Sequence, residues 1–440
     1  MRILLAQNLI HLPSHGGANK SNRLLMEHLA ARGHEVHVVA PLSGALGTGA
    51  SARDELARRG AVPVPSGDPD VHAYTYRGVL VHAVTDPAAL PRRVAEVAAR
   101  LAPDWTLVPS DDPGLVVLGA ALRATPRRVV YLVHTLQQLP FGPGAFYPSA
   151  AGTRMVRRAA GVVAVSRAAQ DYCRRHAGLR STVIYPHIYD DPPAPPSPAA
   201  TAAAPYVTMI NPCGYKGLPI LLGLADACPG VAFQAVPTWG TTPGERAALA
   251  SRPNIRLTPP ADDLGPVLAG SRALLMPSLW DETFGYTCVE AMLRGVPVLA
   301  AGVGGLAEAK RGVPYLLPVT PIERYEAASG HARPVPVVPR QDLGPWLAAL
   351  RRLLDDPAHH AALAARSAAA AGAFVRGLDR DALETYLTAL TPAPPQTPAQ
   401  SSAQTPAQSR PEPRAPLPPH RRAALARLAA ARAAGREAAP

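Results

Sequence analysis

The chain has 440 residues, 48% hydrophobic and 17% charged, enough apolar material for two ordinary domains with some left over. Its net charge of +12 is uneven: seven arginines against two glutamates from Thr391 onward put +5 there, and the remaining +7 suits an anionic ligand without requiring nucleic acid. Cys173, Cys213, Cys228 and Cys288 lack metal spacing, Ile3–Ala6 is too short for a signal core, and no apolar run approaches the roughly 20 residues of a membrane span. A reduced cytoplasmic protein is expected, with attachment to a membrane surface left open. Arginine outnumbers lysine 41 to 3, so Lys20, Lys216 and Lys310 mark places where a compact ammonium is wanted.

In chain order, Ile3–Ala6 reads as a buried strand, residues 8–17 as a turn-rich loop, and residues 18–32 as a helix with Leu24, Leu25, Met26 and Leu29 at helical spacing. Gly33 closes that helix and residues 36–40 form the next strand. Residues 42–70, rich in Gly, Ala, Ser and Pro, read as a surface excursion. Further strands are expected at 79–83, 105–108, 129–133, 162–165 and 182–185. Strand, helix, strand in succession predicts a parallel sheet with right-handed crossovers. A proline-alanine stretch then intervenes, and the alternation restarts at Val207, with strands at 231–235, 255–257, 273–276, 296–300 and 315–317 and closing helices at 346–354, 361–371 and 381–390. The division is a Rossmann-like domain at 1–188, a linker at 189–205, a second Rossmann-like domain at 206–390, and a low-complexity basic tail at 391–440, expected to be disordered apart from a short helix near 417–436.

The strongest chemical signal is the stretch from Pro277 to Ala300, PSLWDETFGYTCVEAMLRGVPVLA. It reads as a strand end, a loop, a helix opening near Tyr286, and the following strand. Amides at Gly285, Tyr286, Thr287 and Cys288 are donors at a helix N-terminus, a ready site for phosphate oxygens. Glu282 precedes the helix and can face a sugar. Glu290, one turn in, can accept from two vicinal hydroxyls, as a ribose offers. The pairs Asp111-Asp112 and Asp262-Asp263 lack converging oxygen ligands, so no metal is expected.

This stretch, E-x-F-G-x4-E-A-M-x-x-G-x-P-V, resembles the signature of retaining GT-B glycosyltransferases of the family 4 type, over roughly residues 1–390. The resemblance implies two Rossmann-like domains facing across a cleft, the first holding an acceptor and the second a nucleoside-diphosphate sugar, with the last helix returning to the first domain. It implies transfer with retention, and no cofactor or metal. Glu282 corresponds to the ligand of the donor sugar's hydroxyls, Glu290 to the ribose ligand, and the amides after Phe284 to contacts with sugar and diphosphate. Gly304-Gly305 matches the family's following glycine pair.

Asn211-Pro-Cys-Gly-Tyr-Lys216-Gly217 matches a loop in which the family commonly places an arginine and a lysine on the diphosphate. Lys216 matches; Asn211 stands where the arginine belongs and brings no charge, so another arginine must reach in or the helix amides and Lys216 must do more. His15-Gly16-Gly17-Ala18-Asn19-Lys20 matches the first loop, with Gly16, Gly17 and Lys20 near diphosphate and acceptor. His134, ending the strand 129–133, matches a histidine near the donor sugar's primary hydroxyl. Ser166 reads first as a helix N-cap.

The motif forms Pro237-Thr-Trp239-Gly-Thr-Thr242 and Pro321-Ile-Glu-Arg-Tyr325 resemble a bacterial subgroup associated with secondary metabolites. The segment Leu417–Leu428 resembles helices ahead of condensation domains, which implies docking on an assembly-line partner. A GT-B sugar-nucleotide epimerase and a non-catalytic nucleotide-sugar binder are the alternatives. A nucleic-acid binder rests on charge alone.

Overall fold

The apolar runs assemble into two successive parallel sheets. The computed structural model describes residues 1–14, 16–42, 52–189, 197–327 and 333–390; His15, most of the proline-alanine stretch and the tail from 391 lie outside them. The first sheet contains β1 (Arg2–Ala6), β2 (Glu35–Pro41), β3 (Val62–Val64), β4 (Val71–Tyr76), β5 (Val79–Val84), β6 (Trp105–Pro109), β7 (Val129–Val133), β8 (Gly161–Ala164) and β9 (Thr182–Val183), in the order β3-β4-β5-β2-β1-β6-β7-β8-β9. Every residue of β6 and β7 is buried, because helices cover both faces of a parallel sheet.

The edge of this sheet departs from the expected pattern. β3 and β4 run antiparallel, inside and just after the expected surface excursion, which also holds a helix at Ala52–Arg58. A two-residue turn joins β4 to β5 with Arg77 at φ 47° and Gly78 at φ 80°. Both central residues are left-handed, as the twist of a hairpin prefers. Arginine at the first of these positions hid the turn from the sequence, since Asn or Asp usually marks it.

The second sheet contains β10 (Tyr206–Ile210), β11 (Phe233–Val236), β12 (Ile255–Leu257), β13 (Ser271–Met276), β14 (Val298–Ala301) and β15 (Leu316–Leu317), in the order β12-β11-β10-β13-β14-β15, all parallel. Beyond it, β16 (Tyr325–Glu326) and β17 (Val335–Pro336) form a small antiparallel hairpin that the sequence did not announce.

The linker reading needs correction. Residues Pro198–Ala203 form a helix, because Ser197 accepts from the Ala200 amide and proline suits the first helical turn. The closing helix Ala382–Ala389 returns to the first domain as the resemblance implied, so the range 206–390 is not one packed body. Leu383 and Leu387 join the core that holds Ile3, Val38 and Leu107. His28 Nε2 lies 2.7 Å from Asp381 Oδ1, and Arg32 donates to Glu384 at 3.0 Å.

The two domains also clasp each other directly. Glu308, from the second domain, accepts from the amides of Arg167 and Ala168 at 3.0 and 3.1 Å, capping a helix of the first domain. Ser166 is the N-cap of that same helix, accepting from Ala169 at 2.9 Å.

Candidate active site

The cleft lies at the C-terminal ends of both sheets, where α/β proteins place their ligands. Its volume is about 1140 Å³, and it is lined by Gly16, Gly17 and Lys20, by His134, Asn211 and Lys216, and by Glu282 through Thr287 with Glu290, whereas Ser166, Cys288, the glycine pair 304–305 and Lys310 lie outside its lining.

The loop before the Tyr286–Leu293 helix is fixed from three sides. The Gly305 amide donates to the Glu282 carbonyl at 2.7 Å. From the first domain, Gln137 Nε2 donates to the Asp281 carbonyl at 3.0 Å, and the Ser166 hydroxyl donates to the Thr283 carbonyl. The glycine pair makes the first contact possible. A Cβ on Gly304 would lie 2.3 Å from the Glu282 oxygen, and one on Gly305 2.6 Å from Phe284 Cα. Phe284 itself points into the core against Tyr185 and Phe374, so its ring anchors the loop and only its backbone faces the cleft.

Gly285 opens the helix at φ 121°, a conformation that favours glycine, and no side chain caps it. The Cys288 amide bonds back to the Gly285 carbonyl at 3.0 Å, which corrects its expected role as a free donor. The amides of Gly285, Tyr286 and Thr287 have no protein acceptor among the described residues, and they remain the orphan donors of an N-terminus.

Both site glutamates are held by lysines. Lys216 Nζ lies 2.5 Å from Glu282 Oε1, which also accepts from Ser278 and, at 3.3 Å, from Trp280 Nε1. Burial alone would raise the Glu282 carboxyl, but the Lys216 charge and these donors outweigh it, and the group is held below its ordinary range. Lys20 Nζ, from the first domain, lies 2.9 Å from Glu290 Oε1. The resemblance assigns that carboxylate to a ribose, so Lys20 must share or release it. Lys310 is not part of the cleft: it is buried, bonded to the Val298 carbonyl at 2.6 Å, and burial lowers it to about 8.

Asn211 is folded into its own loop. It sits at φ 56°, which asparagine tolerates, and its Oδ1 accepts from the Gly240 amide at 3.0 Å. Its Nδ2 is a buried donor with no partner. His134 is buried, its Nδ1 lies 3.5 Å from the Tyr286 hydroxyl, and its Nε2 has no partner. Burial lowers it to about 4, so the ring is neutral at physiological pH. Gly17 packs against Tyr286 so closely that a Cβ there would lie 2.1 Å from Cδ2 of the ring. In this structure Gly17 thus meets the second domain's tyrosine.

The sequence assigns no role to a group of aromatic residues at the cleft. Phe146, Tyr215, Trp239, Trp280 and Tyr325 form one aromatic cluster, with Tyr215 and Trp280 5.0 Å apart and Phe146 and Tyr325 5.0 Å apart. Its members come from five separate segments, so no local pattern could reveal it, although Tyr215, Trp239, Trp280 and Tyr325 each belong to a motif noted above. Asp111 and Asp112, adjacent in sequence, take separate roles. Asp112 accepts from the amides of Val116, Val117 and Leu118, Asp263 accepts from Gly265, and Asp262 pairs with Arg59 at 2.5 Å. Asp111 accepts from Thr135 at 2.8 Å, keeps a buried unpartnered Oδ2, and is pushed up by burial.

Solved structures share this fold. Anabaena HepE in complex with UDP and glucose aligns over 88% of this chain and 100% of its own, with a TM-score of 0.61 and 21% identity. Sucrose-phosphate synthase from Thermosynechococcus elongatus aligns over 88% and 97%, with a TM-score of 0.60 and 17% identity. The fold is GT-B. In sequence, residues 15–191 match the family described as Glycosyltransferase Family 4, and residues 217–332 match Glycosyl transferases group 1. The D-inositol 3-phosphate glycosyltransferase of Kineococcus radiotolerans is 34% identical over 139 residues, 31% of this chain and 29% of that protein. These matches, with the shared GT-B fold, support a GT-B glycosyltransferase. Among the described residues, no helix is long and apolar enough to cross a membrane.

Proposed function

We propose that the protein transfers a sugar from a nucleoside-diphosphate sugar to an acceptor hydroxyl, with retention and without a metal. One observation carries the reading: Glu282, Glu290, Lys216 and an uncapped helix N-terminus converge in one cleft. The amides of Gly285, Tyr286 and Thr287 and the Lys216 ammonium take the diphosphate. Glu290 takes the ribose and Glu282 the sugar hydroxyls. As the bond from sugar C1 to the β-phosphate oxygen breaks, the charge that builds on that oxygen is met by donors already in place. The acceptor oxygen approaches C1 from the same face, and its proton passes to the departing phosphate. His134, neutral, offers its free Nε2 to a hydroxyl of the donor sugar.

HepE was crystallised with UDP-glucose, and a uridine or related nucleotide donor is proposed here by analogy. The acceptor is proposed to be a secondary metabolite or glycan, and residues 391–440 are proposed to dock on an assembly-line partner. A GT-B epimerase is the second reading, favoured by Asp111 and His134 as titratable groups facing the cleft. Incubation with donor alone separates the two: slow hydrolysis to the sugar of unchanged anomeric configuration supports the transferase, and formation of an epimeric nucleotide-sugar supports the alternative.

A further inference from the structure

The loop 211–217 presents one cation to a diphosphate that carries at least two negative charges. Asn211 cannot make up the difference, since it is uncharged and its oxygen is committed to Gly240. A second cation enters the cleft from elsewhere. Arg333, in the loop between β16 and β17, places its Cζ 4.4 Å from the centre of the Trp239 ring. Trp239 immediately precedes Gly240, the residue that Asn211 binds, so the guanidinium stacks beside the position where the resemblance would put an arginine.

The backbone that carries Arg333 is fixed to the loop that carries Lys216. The Tyr215 hydroxyl donates to the Pro334 carbonyl, one residue along from each cation. Pro336 and Val338 pack on Gly214, where an added Cβ would lie 3.1 and 3.0 Å from them. The two cations flank one aromatic pair: Trp239 and Trp280 are 6.0 Å apart, and Lys216 Nζ lies 4.7 Å from the Trp280 ring.

The counter-charges differ. Lys216 and Lys20 each hold a carboxylate, whereas no carboxylate lies within ion-pair distance of Arg333 among the described residues. Its field reaches Asp111 across the cleft without forming a pair. A half-buried guanidinium without a protein anion, in a cleft lined by orphan amides, is free to pair with an anionic ligand.

We propose that Arg333 is the second cation of the donor's diphosphate, supplied by the β16–β17 hairpin in place of the residue that Asn211 replaces. The inference rests on the glycosyltransferase reading and adds to it a donor ligand on a separate element. The planar fork stacked on Trp239 is preorganised for two phosphate oxygens, which an ammonium could not match.

The test is calorimetric titration of the full chain and of Arg333→Met and Arg333→Ala with UDP, GDP and ADP, and with the matching nucleosides, at two salt concentrations. Methionine keeps a stem against Trp239 and removes the charge. Both variants are expected to bind the preferred nucleoside diphosphate about ten- to a hundredfold more weakly, with the nucleoside unaffected and a shallower salt dependence. Diphosphate binding by Arg333→Met equal to that of the unaltered chain, with the same salt dependence, overturns the inference and leaves the transferase reading standing. Failure of the unaltered chain to bind any of the three diphosphates removes both.

Discussion

Removing the Lys216 ammonium should cost far more than removing an exposed lysine. The ammonium sits 2.5 Å from Glu282, and the two side chains keep only 18% and 13% of their exposure. Breaking a buried pair leaves its partner uncompensated, at about 3–5 kcal/mol; residual solvent and the Ser278 and Trp280 donors bring the expectation for Lys216→Ala to about 2–3 kcal/mol. The pH dependence is as diagnostic as the size. In the unaltered protein Glu282 is held below its ordinary value, so its contribution is complete above about pH 4.5 and is lost as pH falls through the folded-state value. Without Lys216 the dominant remaining influence is burial, which raises the carboxyl, and protonation then relieves the penalty. The gap between the two proteins should therefore be widest near pH 7.5 and shrink toward pH 5. Urea denaturation followed by tryptophan fluorescence reads it, and the double variant with Glu282→Ala should show coupling of about 2 kcal/mol. A loss under about 0.5 kcal/mol at pH 7.5, or a gap that grows in acid, refutes the reasoning.

Gly17→Ala places a methyl 2.1 Å from the Tyr286 ring, which Phe284 also packs against, and should lower turnover about tenfold or more and cost roughly 1–3 kcal/mol of stability; unchanged kinetics would show that the contact is dispensable. Gly305→Ala meets the backbone of Thr283 and Phe284 at 2.6 Å and should cost about 2–3 kcal/mol together with the proposed donor affinity, checked by denaturation and nucleotide titration. His134 takes no proton until about pH 4, whereas the unfolded chain takes one near 6.5, so its contribution to stability declines between those values as pH falls. NMR titration of labelled histidine should show this ring unprotonated at pH 5.5; a midpoint near 6.5 would contradict its burial.

The parallel sheets were legible because their strands are short continuous apolar runs separated by helical spacing, as at 105–108 and 129–133. The loop before the Tyr286–Leu293 helix stood out because a helix N-terminus, two glutamates and a glycine pair lie within 24 residues of sequence, and the structure places it at the cleft. What escaped was non-local or atypical. Arg77 at a left-handed turn position concealed the antiparallel edge. The helix at Pro198–Ala203 was hidden by the prolines that begin it. The aromatic cluster and Arg333 exist only once distant segments meet. Glu282 and Glu290 line the cleft, but their lysine partners lie 66 and 270 residues away, a pairing that spacing cannot express.

The stretch from Glu282 to Glu290 as a donor cradle is tested most directly by calorimetric titration of the full chain and of Glu290→Ala with a panel of nucleoside-diphosphate sugars. Saturable binding of one donor class, weakened at least about tenfold by the substitution, is the predicted result. Binding of none of them, or equal affinity in the two proteins, would contradict it.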